Sequence, residues 1–337
     1  MDRKLATVRM IDEIKPIEGS DAIEAARIGG WWIVVKKNEF AVNQFVVFCE
    51  IDSFIPTELA PFLTKPGHFP KEYNGVQGER LRTVKLRGCL SQGLILPLSV
   101  LAQEIVGDPT EYEGSDVSTL LGIVKWEPPV NANTSREAKG NFPHFLRKTD
   151  EERVQNLTRE IEKRQWESFE VTTKLDGSSL TAYVFNEQEG VCSRNIELKE
   201  VEGNAFWEIA RKYRLIEKLR EWGRNLAIQG ELIAPNIQKN YEKVAKPEFR
   251  CFRIFDIDAQ EYLLPVQRRT LCKLLDIPHV PVLDDNFILN HSVQELLDMA
   301  EGDGMNQGVK REGLVYKSNT SQFSMKAISN SYLLKNG

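Results

Sequence analysis

Lys174-Leu-Asp-Gly-Ser178 is the stretch on which the reading of this chain turns. It closes a strand-like run over residues 171–174 that is rich in β-branched residues. A strand that ends in lysine and is followed by Asp-Gly puts an amine at a strand-to-turn junction. Gly177 permits a tight turn and lets a ligand come close to the backbone. An ordinary lysine, with a pKa of about 10.4, is a poor nucleophile at neutral pH. Desolvation or a nearby cation has to lower that value, and a metal ion held by carboxylates is one such cation. On its own the pattern also describes a surface lysine before a β-turn, so its meaning depends on what surrounds it.

Working outward, Ser193-Arg194-Asn195 offers a planar cation suited to phosphate or ribose. Gly230-Glu231-Leu232-Ile233 ends a predicted strand with a carboxylate. Phe252-Arg-Ile-Phe-Asp-Ile257 is a strand with an aromatic, Phe255, just before an acid. Glu312-Gly-Leu-Val-Tyr-Lys317 starts a strand with a carboxylate and ends it with a lysine, and Phe323-Ser-Met-Lys-Ala-Ile328 supplies Lys326. Singly, each has a plain structural reading. Glu231 and Glu312 are then solvated strand ends, Phe255 is core, and Lys317 and Lys326 are surface charge.

Composition narrows the classes. At roughly 150 residues per domain, 337 residues suggest about two domains. Hydrophobic residues at 41% and charged residues at 28% argue against a largely disordered chain. The longest apolar run, Leu94-Ile-Leu-Pro-Leu-Ser-Val-Leu-Ala102, falls well short of the ~18 residues of a membrane span, and Pro97 interrupts it, so no membrane partner is expected. Met1-Asp-Arg-Lys-Leu-Ala has no apolar core behind its charges, so no signal peptide and an intracellular location are expected. Net charge is −5, and residues 1–125 hold 14 Lys and Arg against 17 Asp and Glu. Any nucleic acid must therefore be held by a local groove rather than by bulk attraction. Five widely spaced cysteines without C-x-x-C read as reduced thiols, and four histidines without H-E-x-x-H make a zinc site unexpected.

Along the chain, residues 1–126 read as short strands and turns, the pattern of a small barrel. Residues 127–150 are polar and marked by Pro, Asn and Gly, and are expected to be a linker. Residues 151–337 mix helices with strands. Asn204 is placed to cap a helix that runs to Trp222, with Phe206, Ile209, Ala210, Tyr213, Ile216 and Leu219 on its apolar face and Gly223 as its stop. A second helix follows Pro265, with Leu271, Leu274 and Leu275 inward, and a third spans 293–300. No P-loop occurs, and the glycine-rich 302–308 stretch reads as a loop. In the first part, Arg80-Leu-Arg-Thr-Val-Lys-Leu-Arg87 offers four cations, Arg80, Arg82, Lys85 and Arg87, as an RNA-backbone contact or a charged edge strand. Trp31-Trp32 reads as one core and one rim residue.

In this order, the elements around Lys174 resemble the signature of the covalent nucleotidyltransferases, which include ATP-dependent DNA and RNA ligases and mRNA capping enzymes. The resemblance covers about residues 170–330. Gly230-Glu-Leu-Ile-Ala-Pro-Asn-Ile-Gln-Lys-Asn240 is similar to the G-E-x-x-x-P-x-I-Q-K-N stretch of editing-ligase-like RNA ligases. Phe145-Leu-Arg-Lys-Thr-Asp-Glu-Glu-Arg153 and Ile328-Ser-Asn-Ser-Tyr-Leu-Leu-Lys335 resemble the Deinococcus-type RNA ligases, which carry an N-terminal OB domain. Gly30-Trp-Trp-Ile-Val-Val-Lys-Lys37 and Cys49-Glu-Ile-Asp-Ser-Phe-Ile-Pro56 are similar to its strands.

The resemblance implies an α+β chain, with an all-β OB-type barrel followed by a nucleotidyltransferase domain of antiparallel sheets flanked by helices. It implies an ATP-dependent RNA ligase in which Lys174 forms a lysyl–AMP, and the AMP then passes to an RNA 5′-phosphate before a 3′-hydroxyl closes the strand. Asp176, Glu231 and Glu312 match positions that hold hydrated Mg²⁺ or Mn²⁺. Glu231, Arg153, Arg194, Lys317 and Lys326 match nucleotide-binding positions, and Phe255 matches the aromatic that stacks on adenine. The expected partner is RNA, as a nicked duplex with 3′-hydroxyl and 5′-phosphate ends, sealed by a monomer in RNA repair. The sequence departs from the K-x-K of many ligases at Ser324-Met325-Lys326. The rival readings are a DNA ligase, a GTP-dependent guanylyltransferase, and an OB-based binding protein with an inactive second domain. The first two are disfavoured by the short sequence after Lys326, and the third by Lys174, Asp176, Glu231 and Glu312 standing together.

Overall fold

The structure is a computed structural model that describes residues 3–101, 107–127 and 137–336. The described chain divides into two compact units. One holds the described parts of residues 1–128 with Gln155–Thr158 and the C-terminal residues from Asn330, and the other holds those of 129–154 with Arg159–Ser329.

The first unit is built from short antiparallel strands. Phe45–Cys49 is the centre of one sheet, flanked by Ala6–Met10 and Leu94–Pro97. Glu13–Pro16, Ile23–Ile28 and Trp31–Lys36 form a second sheet. Ser53–Pro56 and Val76–Arg80 pair in a third, beside Lys71–Tyr73 and Val124–Lys125. Alternation decides what goes inward. Trp31, Ile33 and Val35 are buried, while Trp32 and Val34 are half-covered. Trp31 is fully enclosed and its Nε1 donates to Asn156 Oδ1 at 2.5 Å, whereas the Trp32 ring carries Lys15 Nζ 3.7 Å from its centroid. The two tryptophans are thus one core and one rim residue. Leu5, Val8, Val47, Ile55, Leu96 and Leu121 belong to the main core of this unit.

The second unit has two sheets. A seven-stranded antiparallel sheet runs Ala138–Asn141, Ile196–Leu198, Gln188–Cys192, Ser178–Phe185, Leu226–Ile233, Glu248–Asp256 and Glu261–Tyr262 in spatial order. A five-stranded sheet runs Glu152–Arg153, Ser324–Ile328, Gly313–Ser318, Ser168–Lys174 and Val282–Ile288, and only its first pair is parallel. Helices cover one face of the larger sheet. Trp207, Ile209, Leu215, Leu219 and Leu271 pack there against Leu180, Ala182, Ile228 and Ile254.

Three local expectations change. The helix from Asn204 is two helices, Ala205–Lys212 and Leu215–Trp222, because Arg214 adopts a left-handed φ of 53°. The break turns Leu215 and Ile216 into the core that Ile209 and Ala210 already fill. The Asn204 cap and the Gly223 stop are as expected: Asn204 Oδ1 accepts from Phe206 N and Trp207 N at 3.0 Å, and Gly223 is left-handed at φ 75°. Leu274 points out, at 66% exposure, while Leu271 is buried. The stretch expected as a linker over 127–150 behaves differently in its described part; residues 128–136 lie outside the described residues. Ala138–Asn141 pairs with Ile196–Leu198 as an edge strand, and Phe142, Phe145 and Leu146 pack on the same sheet. The polar composition of the stretch conceals these three apolar anchors.

A fully buried ion pair joins helix Pro265–Leu274 to strand Ser168–Lys174, with Arg268 Nη2 donating to Glu170 and Arg269 Nη1 reaching its other oxygen at 2.5 Å. His279 completes it. Its Nε2 accepts from Arg268 Nε at 2.9 Å, and its Nδ1 faces Val280 O at 2.6 Å. The ring is therefore neutral, with its proton on Nδ1. Burial, then the Arg268 charge, push the His279 pKa down to about 4. A folded value below the unfolded one, about 6.5, makes acid favour the unfolded chain. The stability is fully present above about pH 6.5 and is lost as the pH falls towards 4. Urea unfolding across this range is expected to show the gap between wild type and His279→Gln shrinking by up to about 3 kcal/mol. A gap independent of pH rules this out.

Candidate active site

Strand register brings the charged residues of the second unit together. On Ser168–Lys174, alternation puts Glu170, Thr172 and Lys174 on one face. The pairing sets Lys317 opposite Glu170, Gly313 opposite Lys174, Lys326 opposite Val315 and Arg153 opposite Lys326. These side chains therefore share that face. On the larger sheet, Ser179 pairs with Glu231, Thr181 with Gln229, and Gln229 with Arg253. The turn 175–177 carries the chain from the five-stranded sheet to the seven-stranded one, so Lys174 ends a strand of one sheet and Ser178 begins a strand of the other.

The turn has little freedom. A Cβ on Gly177 would sit 2.5 Å from Leu232 O and 2.8 Å from Ile233 Cγ2, so the glycine is required by close backbone approach. Leu175 is buried with Ile233, Val244 and Val280. The Asp176 N–H donates to Glu242 Oε1 at 3.1 Å.

Lys174 Nζ lies 2.8 Å from Glu312 Oε2. Burial favours its neutral amine, but Glu312, Glu231 and Asp176 outweigh that and hold the ammonium well above the ordinary lysine value. The expected lowering of this pKa is thus absent from the protein by itself, because the acids around the lysine outweigh its burial. The acids bear the opposite strain. Burial pushes Glu231 up to about 8, with Lys174 opposing and Glu312 and Asp176 adding. Burial likewise raises Glu242 to about 7.

This surplus of crowded carboxylate charge suits a divalent cation. Among the described residues, no group of three or more His, Cys, Asp or Glu is arranged to bind a metal directly. The donor set fits an ion that keeps its waters, as Mg²⁺ tends to, held by Asp176, Glu231 and Glu312 through them.

The cations form the other half of the site. Asp150 accepts from Lys326 Nζ at 2.6 Å and from Arg194 Nη2 at 3.1 Å. Lys317 is 2% exposed, and burial with Arg268 and Arg253 pushes its pKa well down. Burial also lowers Lys326. Arg153 is buried beside it, and Arg253 reaches Glu151 at 3.3 Å. Buried cations held below their ordinary values gain from an added anion, and phosphate is the matching group.

A family model described as RNA ligase matches residues 167–328, and one described as an OB-fold domain matches residues 5–98. Among solved structures, Naegleria gruberi RNA ligase in an apo aspartate-to-alanine variant is 48% identical, with a TM-score of 0.91 over 99% of this chain and 98% of that one. A lysine-to-alanine variant of that enzyme with ATP and Mn gives 0.90 at 48% identity, over 98% and 99%. A glutamate-to-alanine variant with AMP and Mn gives 0.91 at 48%, over 99% of each chain. The chain belongs to the RNA ligase family. No curated protein matches it.

In this ligase, Phe255, the residue matched to an adenine-stacking aromatic, lies in the core of the larger sheet. It is fully buried, in a cluster with Leu146, Tyr183, Cys192, Ala227 and Ile257. Residues 142–147 fold back over that end of the sheet, with the Arg147 guanidinium 5.5 Å from the ring centroid. Arg80 also differs from the other three cations of its stretch, since it donates to Asp52 Oδ1 at 2.6 Å and stacks on Trp126 at 4.0 Å. Arg82, Lys85 and Arg87 are exposed, on and beside the hairpin Val84–Leu86 and Cys89–Ser91. The eight-residue stretch is thus a strand end followed by a hairpin, not one strand.

Sequence reasoning missed Asp150, Glu151, Glu170, Glu242, Arg253 and Arg268. Asp150 and Glu151 stand inside the stretch quoted for its resemblance, and Glu242 two residues beyond another; no spacing rule singles them out. Gly177→Ala is expected to cost about 1–3 kcal/mol in chemical denaturation, because the new methyl meets a backbone carbonyl. Unchanged stability means the turn is looser than described.

Proposed function

We propose that this protein is an ATP-dependent RNA ligase that joins 3′-hydroxyl and 5′-phosphate ends through a lysyl–AMP on Lys174. The observation that carries the reading is Lys174 Nζ, 2.8 Å from Glu312, standing where an acidic cluster meets the basic row of Lys326, Arg153 and Lys317.

In the first step, the free amine of Lys174 attacks the α-phosphorus of ATP. A P–N bond forms, the bond from the α-phosphorus to the bridging oxygen breaks, and pyrophosphate leaves. Lys174 begins as an ammonium, so it must first lose a proton, and Glu312 Oε2 already accepts its hydrogen bond. A divalent ion among Asp176, Glu231 and Glu312 supplies positive charge that favours the free amine and offsets charge gathering on the phosphates. Arg153, Arg194, Lys317 and Lys326 bind phosphate oxygens, and Asp150 gives up Lys326 and Arg194 to them. In the second step an oxygen of the RNA 5′-phosphate attacks the same phosphorus, the P–N bond breaks and the Lys174 amine is regenerated. In the third, the RNA 3′-hydroxyl attacks the 5′-phosphate and AMP departs. Separating activation from joining lets the stored P–N bond wait while the nucleic acid arrives.

The same reading takes a nicked duplex as the substrate and RNA repair as the role, with Arg82, Lys85 and Arg87 on the RNA backbone. It takes the protein as a monomer in a reducing compartment. The free thiols Cys49, Cys89, Cys192, Cys251 and Cys272 support that compartment. No helix among the described residues is long and apolar enough to cross a membrane.

Incubation with α-labelled ATP and Mn²⁺, followed by a denaturing gel, is expected to label the chain. GTP is expected to leave it unlabelled, and Lys174→Met to bind ATP without forming the adduct. Labelling from GTP alone, or equal labelling of Lys174→Met, overturns the reading. A nick with ribose at the 3′ side is expected to seal at least tenfold faster than one with deoxyribose, a difference of about 1.4 kcal/mol.

A further inference from the structure

Glu242 lies in the loop that follows strand Leu226–Ile233, and the loop is firmly held around it. Lys239, Asn240 and Lys243 take left-handed backbone angles, with φ of 55°, 51° and 51°. The Asn240 side chain clamps Val244 at both backbone atoms, with Nδ2 donating to Val244 O at 3.0 Å and Val244 N donating to Oδ1 at 2.9 Å. Asn306 Nδ2 donates to the Glu242 carbonyl at 2.7 Å. Left-handed backbone at non-glycine residues is costly, and it persists where surrounding structure enforces it. Here the result is to drive a carboxylate inward, since Glu242 is 1% exposed.

The two carboxylate oxygens have different surroundings. Oε1 accepts the Asp176 N–H, the central amide of the Lys174 turn. Oε2 is buried and has no hydrogen-bond partner. A buried carboxylate oxygen without a donor is unfavourable by more than a neutral group would be. Lys174, Asp176 and Glu312 are the charged neighbours that Glu242 feels. Lys174 donates to Glu312 and leaves Glu242 unsatisfied.

We infer that Glu242 is a fourth acidic member of the Lys174 centre: Oε1 fixes the Asp176 turn, and Oε2 accepts a hydrogen bond from water carried by the divalent ion. This rests on the proposed function for the presence of that ion. Glu242 touches neither lysine nor phosphate and is a positioning residue. It acts on Asp176 through a backbone amide and on the ion through water.

The substitution Glu242→Gln separates the two roles. Glutamine keeps an oxygen acceptor for the Asp176 amide but removes the charge. Binding of Mn²⁺ is read directly by electron paramagnetic resonance, with ATP present and in a Lys174→Met background so that no chemistry intervenes. Thermal melting in chelator is read beside it. Glu242→Gln is expected to raise the Mn²⁺ concentration for half-saturation by at least about tenfold, in the range typical for residues that orient metal ligands, with melting in chelator unchanged. Glu242→Ala is expected to weaken Mn²⁺ further and to lower the melting temperature, since the amide of Asp176 also loses its acceptor. An unchanged Mn²⁺ midpoint in Glu242→Gln overturns the inference and leaves Glu242 a support of the turn. Failure of the wild type to form a lysyl–AMP overturns the proposed function instead, and the Mn²⁺ titration still reads Glu242 independently of it.

Discussion

The ion pair between Lys174 and Glu312 is the contact around which the charged groups of the second unit are arranged. It exists because of strand register. Gly313 is paired with Lys174, so the residue just before that strand, Glu312, is delivered to the amine. The register in turn depends on Gly313 itself, where a Cβ would collide with the Ala327 carbonyl of the adjoining strand. Two glycines, Gly177 and Gly313, therefore set the position of the one lysine at the seam of the two sheets. Neither needs a left-handed backbone, and each serves by letting main chain approach main chain.

Around that seam the charges are segregated. Acids gather at the turn, and cations lie along the five-stranded sheet and at the Ser193–Asn195 turn. Each group is internally uncomfortable: Glu231 is forced towards its neutral form and Lys317 towards its own. A protein without a ligand to receive would gain by mixing these charges. The arrangement is poised for a ligand that carries both signs, an anionic polyphosphate together with its metal cation. The buried Glu170–Arg268 pair backs the cation side, and a carboxylate there keeps so many positive groups in one low-dielectric region.

How much of this was legible in the sequence depended on distance along the chain. Lys174, Asp176, Glu231, Glu312 and Lys326 were readable because each sits within two residues of a strand end, and alternation with simple pairing carries it to the site. Phe255 was readable as an aromatic on a strand, but not as an enclosed one. Its cover comes from residues 142–147, more than a hundred positions away and hidden in a polar stretch. Asp150 had the same disadvantage. Glu242 was out of reach because left-handed residues, with no glycine to announce them, turn its loop. The helix after Asn204 was correct at both ends and wrong in the middle, since an arginine in a left-handed conformation leaves no mark on the apolar periodicity. The four cations from Arg80 to Arg87 looked equivalent in the sequence and are not, because Asp52 and Trp126 claim the first of them.

Asp150 touches both Lys326 and Arg194, and is thus a tethered surrogate for a phosphate group. An incoming anion meets a site that is already neutralised, so binding is an exchange of one oxyanion for another and not the filling of a bare positive hole. Stray monovalent anions gain little by such a swap, whereas a triphosphate that spans several cations at once gains at each. Under the proposed function, the carboxylate would return to Lys326 and Arg194 whenever a phosphate leaves them, and the two cations would be spared mutual repulsion.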